Sequence, residues 1–153
     1  MLNSDFKEFA QLLNAHGVEY LVVGGYALAA YGHPRYTGDI DIWYRNASDN
    51  TARLEAVLDE FGFGALGITQ EHLRDPDNVI QLGYPPRRID LLSGIDGVEF
   101  DDCWQRRERV EWDGLTVSII GLHDFKANKR ATGRLKDLAD LEALGGPGEN
   151  PGG

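Results

Sequence analysis

The sequence predicts an α+β domain, a mixed and mostly antiparallel sheet with helices packed on it and more helices at its C-terminal end. Three observations carry this. Apolar runs of strand length, Val18–Val23, Val79–Leu82 and Arg88–Leu92, are interspersed with longer segments of helical period. Val110–Trp112 and Leu115–Ile120 bracket Asp113-Gly114, a two-residue turn signal that specifies an antiparallel hairpin. Phe6, Phe9, Ala10, Leu12 and Leu13, and then Leu54, Val57, Leu58 and Phe61, recur at the spacing of one helix face.

At 153 residues the chain suits one domain, taken to span 1–144. Residues 145–153 hold five glycines and two prolines and are expected to be a disordered tail. Cys103 is the only cysteine, which fits a reducing, cytoplasmic compartment. The N-terminus lacks a basic segment leading into an apolar run, and no stretch approaches a membrane span, so no membrane partner is expected. With 25 acidic and 15 basic residues the net charge is −10, which repels nucleic acid unless cations are gathered locally. Between Gly121 and Lys136 they are: Lys126, Lys129, Arg130, Arg134 and Lys136 stand against the single acid Asp124.

In chain order, Ser4 is the expected cap of the first helix, and His16-Gly17 ends it. Val18–Val23 is a strand for the sheet centre, and Tyr26–Tyr31 a short helix ended by Gly32 and Pro34. The loop His33–Gly38 feeds the strand Asp39-Ile40-Asp41-Ile42-Trp43, whose alternation projects both acids from one face and both isoleucines from the other. Ser48 is the expected cap of the next helix, and Phe63–Leu73 reads as a loop with a helical turn near Gln70. Gly83–Arg87, with two prolines, connects the next two strands. Phe100, Cys103 and Trp104 form the buried face of a short helix, with Cys103 as structural filler. A helix from Leu122 is broken at Gly133, and another starts at Lys136, with Leu135, Leu138, Leu141 and Leu144 expected to be buried.

Chemistry concentrates where Val22-Val23-Gly24-Gly25 precedes a helix and Asp39-x-Asp41 follows on a strand. A glycine pair before a helix leaves backbone N–H groups open to an anion, and paired carboxylates on one face suit a divalent cation. Arg35 and Thr37 lie close enough in sequence to the acids to contact phosphate or orient an aspartate.

Gly24-Gly25, thirteen residues, then Asp39-x-Asp41 resembles the signature of the nucleotidyltransferase superfamily that includes DNA polymerase beta. The likeness is to its small bacterial branch of minimal nucleotidyltransferases and abortive-infection toxins. Lys129-Arg130-Ala-x-Gly-Arg134-x-Lys136-Asp137-Leu-x-Asp140-Leu is similar to the C-terminal motif of that branch. Many relatives carry Gly-Ser where this chain has Gly24-Gly25, so one hydroxyl contact to phosphate is missing.

The resemblance implies a polymerase beta-like core and Asp90, on the strand Arg88–Leu92, as a third acid. It also implies nucleotide-binding roles for Gly24, Gly25, Arg35, Thr37 and Lys129. Asp39, Asp41 and Asp90 would hold two Mg²⁺ ions, with Mn²⁺ as a substitute, and transfer a nucleoside monophosphate from a triphosphate such as ATP to an acceptor hydroxyl. RNA or tRNA ends, or a protein, are the expected acceptors. Larger relatives carry an acceptor-holding domain that this chain lacks, so acceptor choice falls to a small groove, an antitoxin or other small helical partner, or self-association as a homodimer. A toxin of a toxin–antitoxin system is the leading role. An antibiotic nucleotidyltransferase and a non-catalytic nucleotide-binding regulatory module are the alternatives.

Overall fold

The computed structural model describes residues 2–34 and 37–146. Helix α1 (Ser4–Ala15) buries Phe6, Phe9, Ala10 and Leu13. Its cap is Asn3, one residue earlier than expected, because the extended Asn3 places its side-chain oxygen 2.9 Å from the Phe6 N–H. Strand β1 (Tyr20–Val23) is buried along its whole length and runs directly into α2 (Gly24–Ala30). The expected turn ahead of a helix at Tyr26 is therefore replaced by glycines that are themselves the first helical residues.

Strand β2 (Asp39–Tyr44) leads to α3 (Ser48–Phe61). Ser48 does not cap α3, whose N-cap position is Ala47 with no side-chain cap bond. The wholly buried Asn50 fixes this end instead, donating to the Glu19 and Arg45 carbonyls at 3.0 and 2.8 Å and accepting from the Glu19 N–H at 2.7 Å. A 3₁₀ turn (Gly64–Leu66) and α4 (Gln70–Arg74), the helical turn expected near Gln70, precede the antiparallel pair β3 (Val79–Leu82) and β4 (Arg88–Leu92). Then come α5 (Phe100–Gln105), the hairpin β5 (Glu108–Trp112) and β6 (Leu115–Ile119), α6 (Leu122–Thr132) and α7 (Leu135–Ala143). Both hairpin turn residues, Asp113 (φ 54°) and Gly114 (φ 80°), adopt the left-handed backbone that an Asp-Gly turn supplies.

The strands form one sheet in the order β3-β4-β2-β1-β6-β5. The pairs β1–β2, β3–β4 and β5–β6 are antiparallel, while β2–β4 and β1–β6 are parallel, so the sheet is mixed and mostly antiparallel as expected. Trp43, Tyr20, Tyr44, Phe6, Phe9 and Phe125 are the largest fully buried side chains. Phe9 meets Phe61 edge-on at 5.2 Å, locking α1 to α3. Among the described residues, no helix is long and apolar enough to cross a membrane.

The leucines of α7 depart from expectation. Leu141 is buried, but Leu135 is 88% and Leu138 46% exposed, and the buried positions of this helix are instead Asp137, Asp140 and Leu141. The neighbouring α6 turns the buried Lys129 toward α7, and two carboxylates match that ammonium where leucines would leave it unpaired.

Candidate active site

Sheet register assembles the acids. In the parallel pair β2–β4, Asp41 is the partner of Asp90 and Asp39 the partner of Arg88. Neighbouring strands lie about 4.8 Å apart and partners share a face, so the three carboxylates converge. One oxygen from each of Asp39, Asp41 and Asp90 lies within 4.8 Å of the others. The opposite face of the same strands carries Ile40, Ile42, Ile89 and Leu91, all buried in the core. A one-residue slip would exchange the acids for these apolar side chains, so core packing fixes the site's geometry.

Gly24 is required twice over. Its φ of 67° is left-handed, and a Cβ there would lie 2.1 Å from Asp41 Oδ2. A Cβ at Gly25 would meet Thr37 Cβ and Oγ1 at 3.3 Å. Thr37 Oγ1 lies 3.1 Å from both the Asp39 carbonyl and Asp39 Oδ1, so its hydroxyl orients the aspartate while bonding the turn's backbone. Arg35 lies outside the described residues.

A cavity of about 290 Å³ is lined by both glycines, Thr37, Asp39, Asp41, Lys129, Arg134 and Lys136. It therefore has an acidic wall on the sheet and a cationic wall on α6, α7 and their junction. An adjoining cleft of about 490 Å³ shares Gly24, Asp41, Lys129 and Arg134 and extends to Val79, Leu92, Ile95 and Asn128. A separate groove of about 470 Å³ beside Trp43 and Phe100 has its one lining arginine, Arg45, already paired with Glu19 and Asp101, and does not include the triad.

Lys129 is 5% exposed, with Nζ 2.9 Å from Asp140 Oδ2 and 3.3 Å from Asp137 Oδ1, and it forms part of the cavity wall. Arg134 pairs with Asp137 through Nε at 2.6 Å. Lys136 is exposed and makes no ion pair among the described residues. Its charge favours the ionised form of Asp41.

Burial pushes the Asp41 carboxyl up to about 7, helped by the charges of Asp39 and Asp90 and a hydrogen bond with Asp90, against the pull of Lys136. Burial also raises Asp90, against the bond from Arg88. Arg88 stands among the acids. Its Nε lies 2.8 Å from Asp90 Oδ1 and its terminal nitrogen 2.5 Å from Asp39 Oδ2.

Three oxygen donors with unbalanced negative charge, one guanidinium already drawn among them, fit a hard divalent cation. The Cys103 thiol, buried 0% exposed, is pushed up to about 12 by burial and by Asp124, in keeping with a structural role.

Sequence reasoning singled out Lys129 from the basic segment and passed over Arg134 and Lys136 as cavity residues, although the charge excess of 121–136 contains all three. It also passed over Arg88, whose two-residue spacing from Asp90 already places it on the same strand face.

Residues 3–146 match a family described as nucleotidyl transferase of unknown function. No curated protein matches the chain in sequence. Among solved structures, a candidate nucleotidyltransferase from Thermotoga maritima superposes with a TM-score of 0.56 at 16% identity, covering 94% of this chain and 92% of that one. An antigenic nucleotidyltransferase-like protein from Paracoccidioides brasiliensis gives 0.53 at 15%, covering 92% of this chain and 72% of the other. At these identities the likeness is one of fold.

Proposed function

The chain belongs to a family of nucleotidyl transferases of unknown function, and on that premise we propose that it moves a nucleoside monophosphate from a nucleoside triphosphate to an acceptor hydroxyl. The observation that carries this is the convergence of Asp39, Asp41 and Asp90 on one side of a cavity whose other side is cationic.

In this reading the triphosphate enters between the two walls. The Gly24 and Gly25 amides and Arg35 contact its phosphates, Thr37 holds Asp39 in place, and Lys129, Arg134 and Lys136 offset negative charge across the cavity. Asp39, Asp41 and Asp90 would hold the divalent cations, two Mg²⁺ with Mn²⁺ as substitute, which when bound supply Lewis-acid activation of the hydroxyl and neutralise charge on the leaving group. The acceptor oxygen bonds to the α-phosphorus as the α–β bridging bond breaks. Pyrophosphate leaves with that electron pair, and the hydroxyl proton passes to Asp90.

The acceptor in this proposal is an RNA end, tRNA above all, or a protein, with the chain acting in the cytoplasm as the toxin of a toxin–antitoxin pair. The gathering of basic residues between 121 and 136, in a chain of net charge −10, supports a polyanionic acceptor.

The test is labelled-nucleotide incorporation into total RNA, tRNA and lysate protein, using each of the common triphosphates with Mg²⁺. Asp41→Asn should lower the rate by about a thousandfold, on the order of 4 kcal/mol of lost transition-state stabilisation. Equal incorporation by the variant would sink the assignment.

A further inference from the structure

Arg88 and Asp90 are two positions apart on β4 and project from one face, with Asp39 opposite Arg88 on β2. The guanidinium donates Nε to Asp90 Oδ1 at 2.8 Å, and its terminal nitrogen to Asp90 Oδ2 at 3.1 Å and Asp39 Oδ2 at 2.5 Å. A planar fork thus engages both oxygens of Asp90 and bridges to a second acid, the geometry in which arginine holds carboxylates best. Asp39 and Asp41 line the cavity between the acidic and cationic walls, whereas Asp90 is not among its lining residues. Arg88 is 28% exposed and also borders a cleft of about 580 Å³ with Gly83, Tyr84 and Pro85, which leaves room for its side chain to withdraw.

We propose that Arg88 is the resident counter-ion of the triad, and that a divalent cation completes its coordination only by taking Asp90 from this guanidinium. Asp39 and Asp41, which line the cavity, would hold the cation before Asp90 joins them. Arg88 then moves into the cleft beside Gly83–Pro85 as Asp90 is released. Arg88 is in this account a positioning residue: it sets how tightly metal binds and touches no reacting atom. The inference rests on the reading of the triad as metal ligands.

The test is Mn²⁺ titration of the full chain, followed by electron paramagnetic resonance of the free ion, with no turnover required. Arg88→Gln and Arg88→Met should bind Mn²⁺ on the order of tenfold more tightly than the wild type, because a positive charge a few ångströms from two ligands is gone. Arg88→Lys, which keeps the charge, should stay near wild-type affinity. Gln retains N–H donors toward Asp90, so it remains informative if the Met variant folds poorly, as judged by circular dichroism. Wild-type or weaker affinity in Arg88→Gln would overturn the inference and leave the nucleotidyltransferase reading standing, provided Asp41→Asn still abolishes binding. Binding that is indifferent to Asp41→Asn would remove the metal site, and both readings with it.

Discussion

Two clusters of buried or half-buried aspartates lie across one cavity, and they are balanced in opposite ways. On the sheet, the guanidinium of Arg88 pairs with only two of three carboxylates, Asp39 and Asp90, and the third, Asp41, is pushed up to about 7. Between α6 and α7, Asp137 and Asp140 share Lys129, and Asp137 also receives Arg134. Burial there opposes ionisation too, yet the bonds from Arg134, Thr132 and Lys129 hold the Asp137 carboxyl well below the usual range. Burial alone therefore does not decide the state of an acid; the supply of nearby cations does. One cluster is matched by its own cations, which also line the cavity. The other still has need of positive charge.

The sharpest way to break this contrast is to unbalance the structural cluster. Lys129→Met would leave two buried carboxylates without their ammonium and should cost about 3–5 kcal/mol in chemical denaturation. A loss below about 1 kcal/mol would mean that the α6–α7 pairing is loose and its difference from the triad nominal.

Next in size is the pH dependence of the metal-free protein. Asp41 has a folded pKa above the ordinary aspartate value of about 4, so the native state binds more protons between about 4 and 7. Its contribution to stability is then greatest below pH 4 and declines as pH rises to about 7, by up to roughly 4 kcal/mol at about 1.4 kcal/mol per pKa unit. Asp41→Asn should flatten this limb, leaving stability unchanged below about pH 4 and raising it by about 2 kcal/mol at pH 8, since Asp39 and Asp90 share part of the shift. A variant less stable than the wild type at pH 8 would contradict a strained site.

Asp137 has the reverse sign. Its folded pKa is depressed, so its stabilisation is present above about pH 4 and is lost as pH falls further. In Asp137→Asn the acid limb of the denaturation profile should be shallower by about 1 kcal/mol or more. The smallest effect belongs to the exposed edge of the same helix: Leu135→Ser should change stability by less than about 0.5 kcal/mol, because its side chain is already in water.

Much of this contrast was legible in the sequence on the sheet side and little of it on the helical side. Period-two alternation placed Asp39 and Asp41 together and set Asp90 apart from Ile89 and Leu91, because a strand's facing follows from its own residues. The pairing of β2 with β4 was not legible, since strand order depends on contacts between distant segments. In α7 the leucine spacing pointed to the wrong face. Periodicity reports which residues share a stripe but not what the neighbouring helix presents to it, and here that neighbour presents Lys129. Arg88 was passed over: its spacing from Asp90 was visible, but its second partner, Asp39, lies 49 positions away.

The parallel pairing of β2 with β4 also bears on how the site comes into being. Parallel neighbours cannot be joined by a tight turn, and here the chain makes α3, the 3₁₀ turn, α4 and β3 before β4 returns beside β2. The cationic wall arrives later still, with α6 and α7. A chain emerging from the ribosome therefore makes Asp39 and Asp41 well before Lys129, Arg134 and Lys136, and the cavity between the two walls cannot form until α6 and α7 have been made.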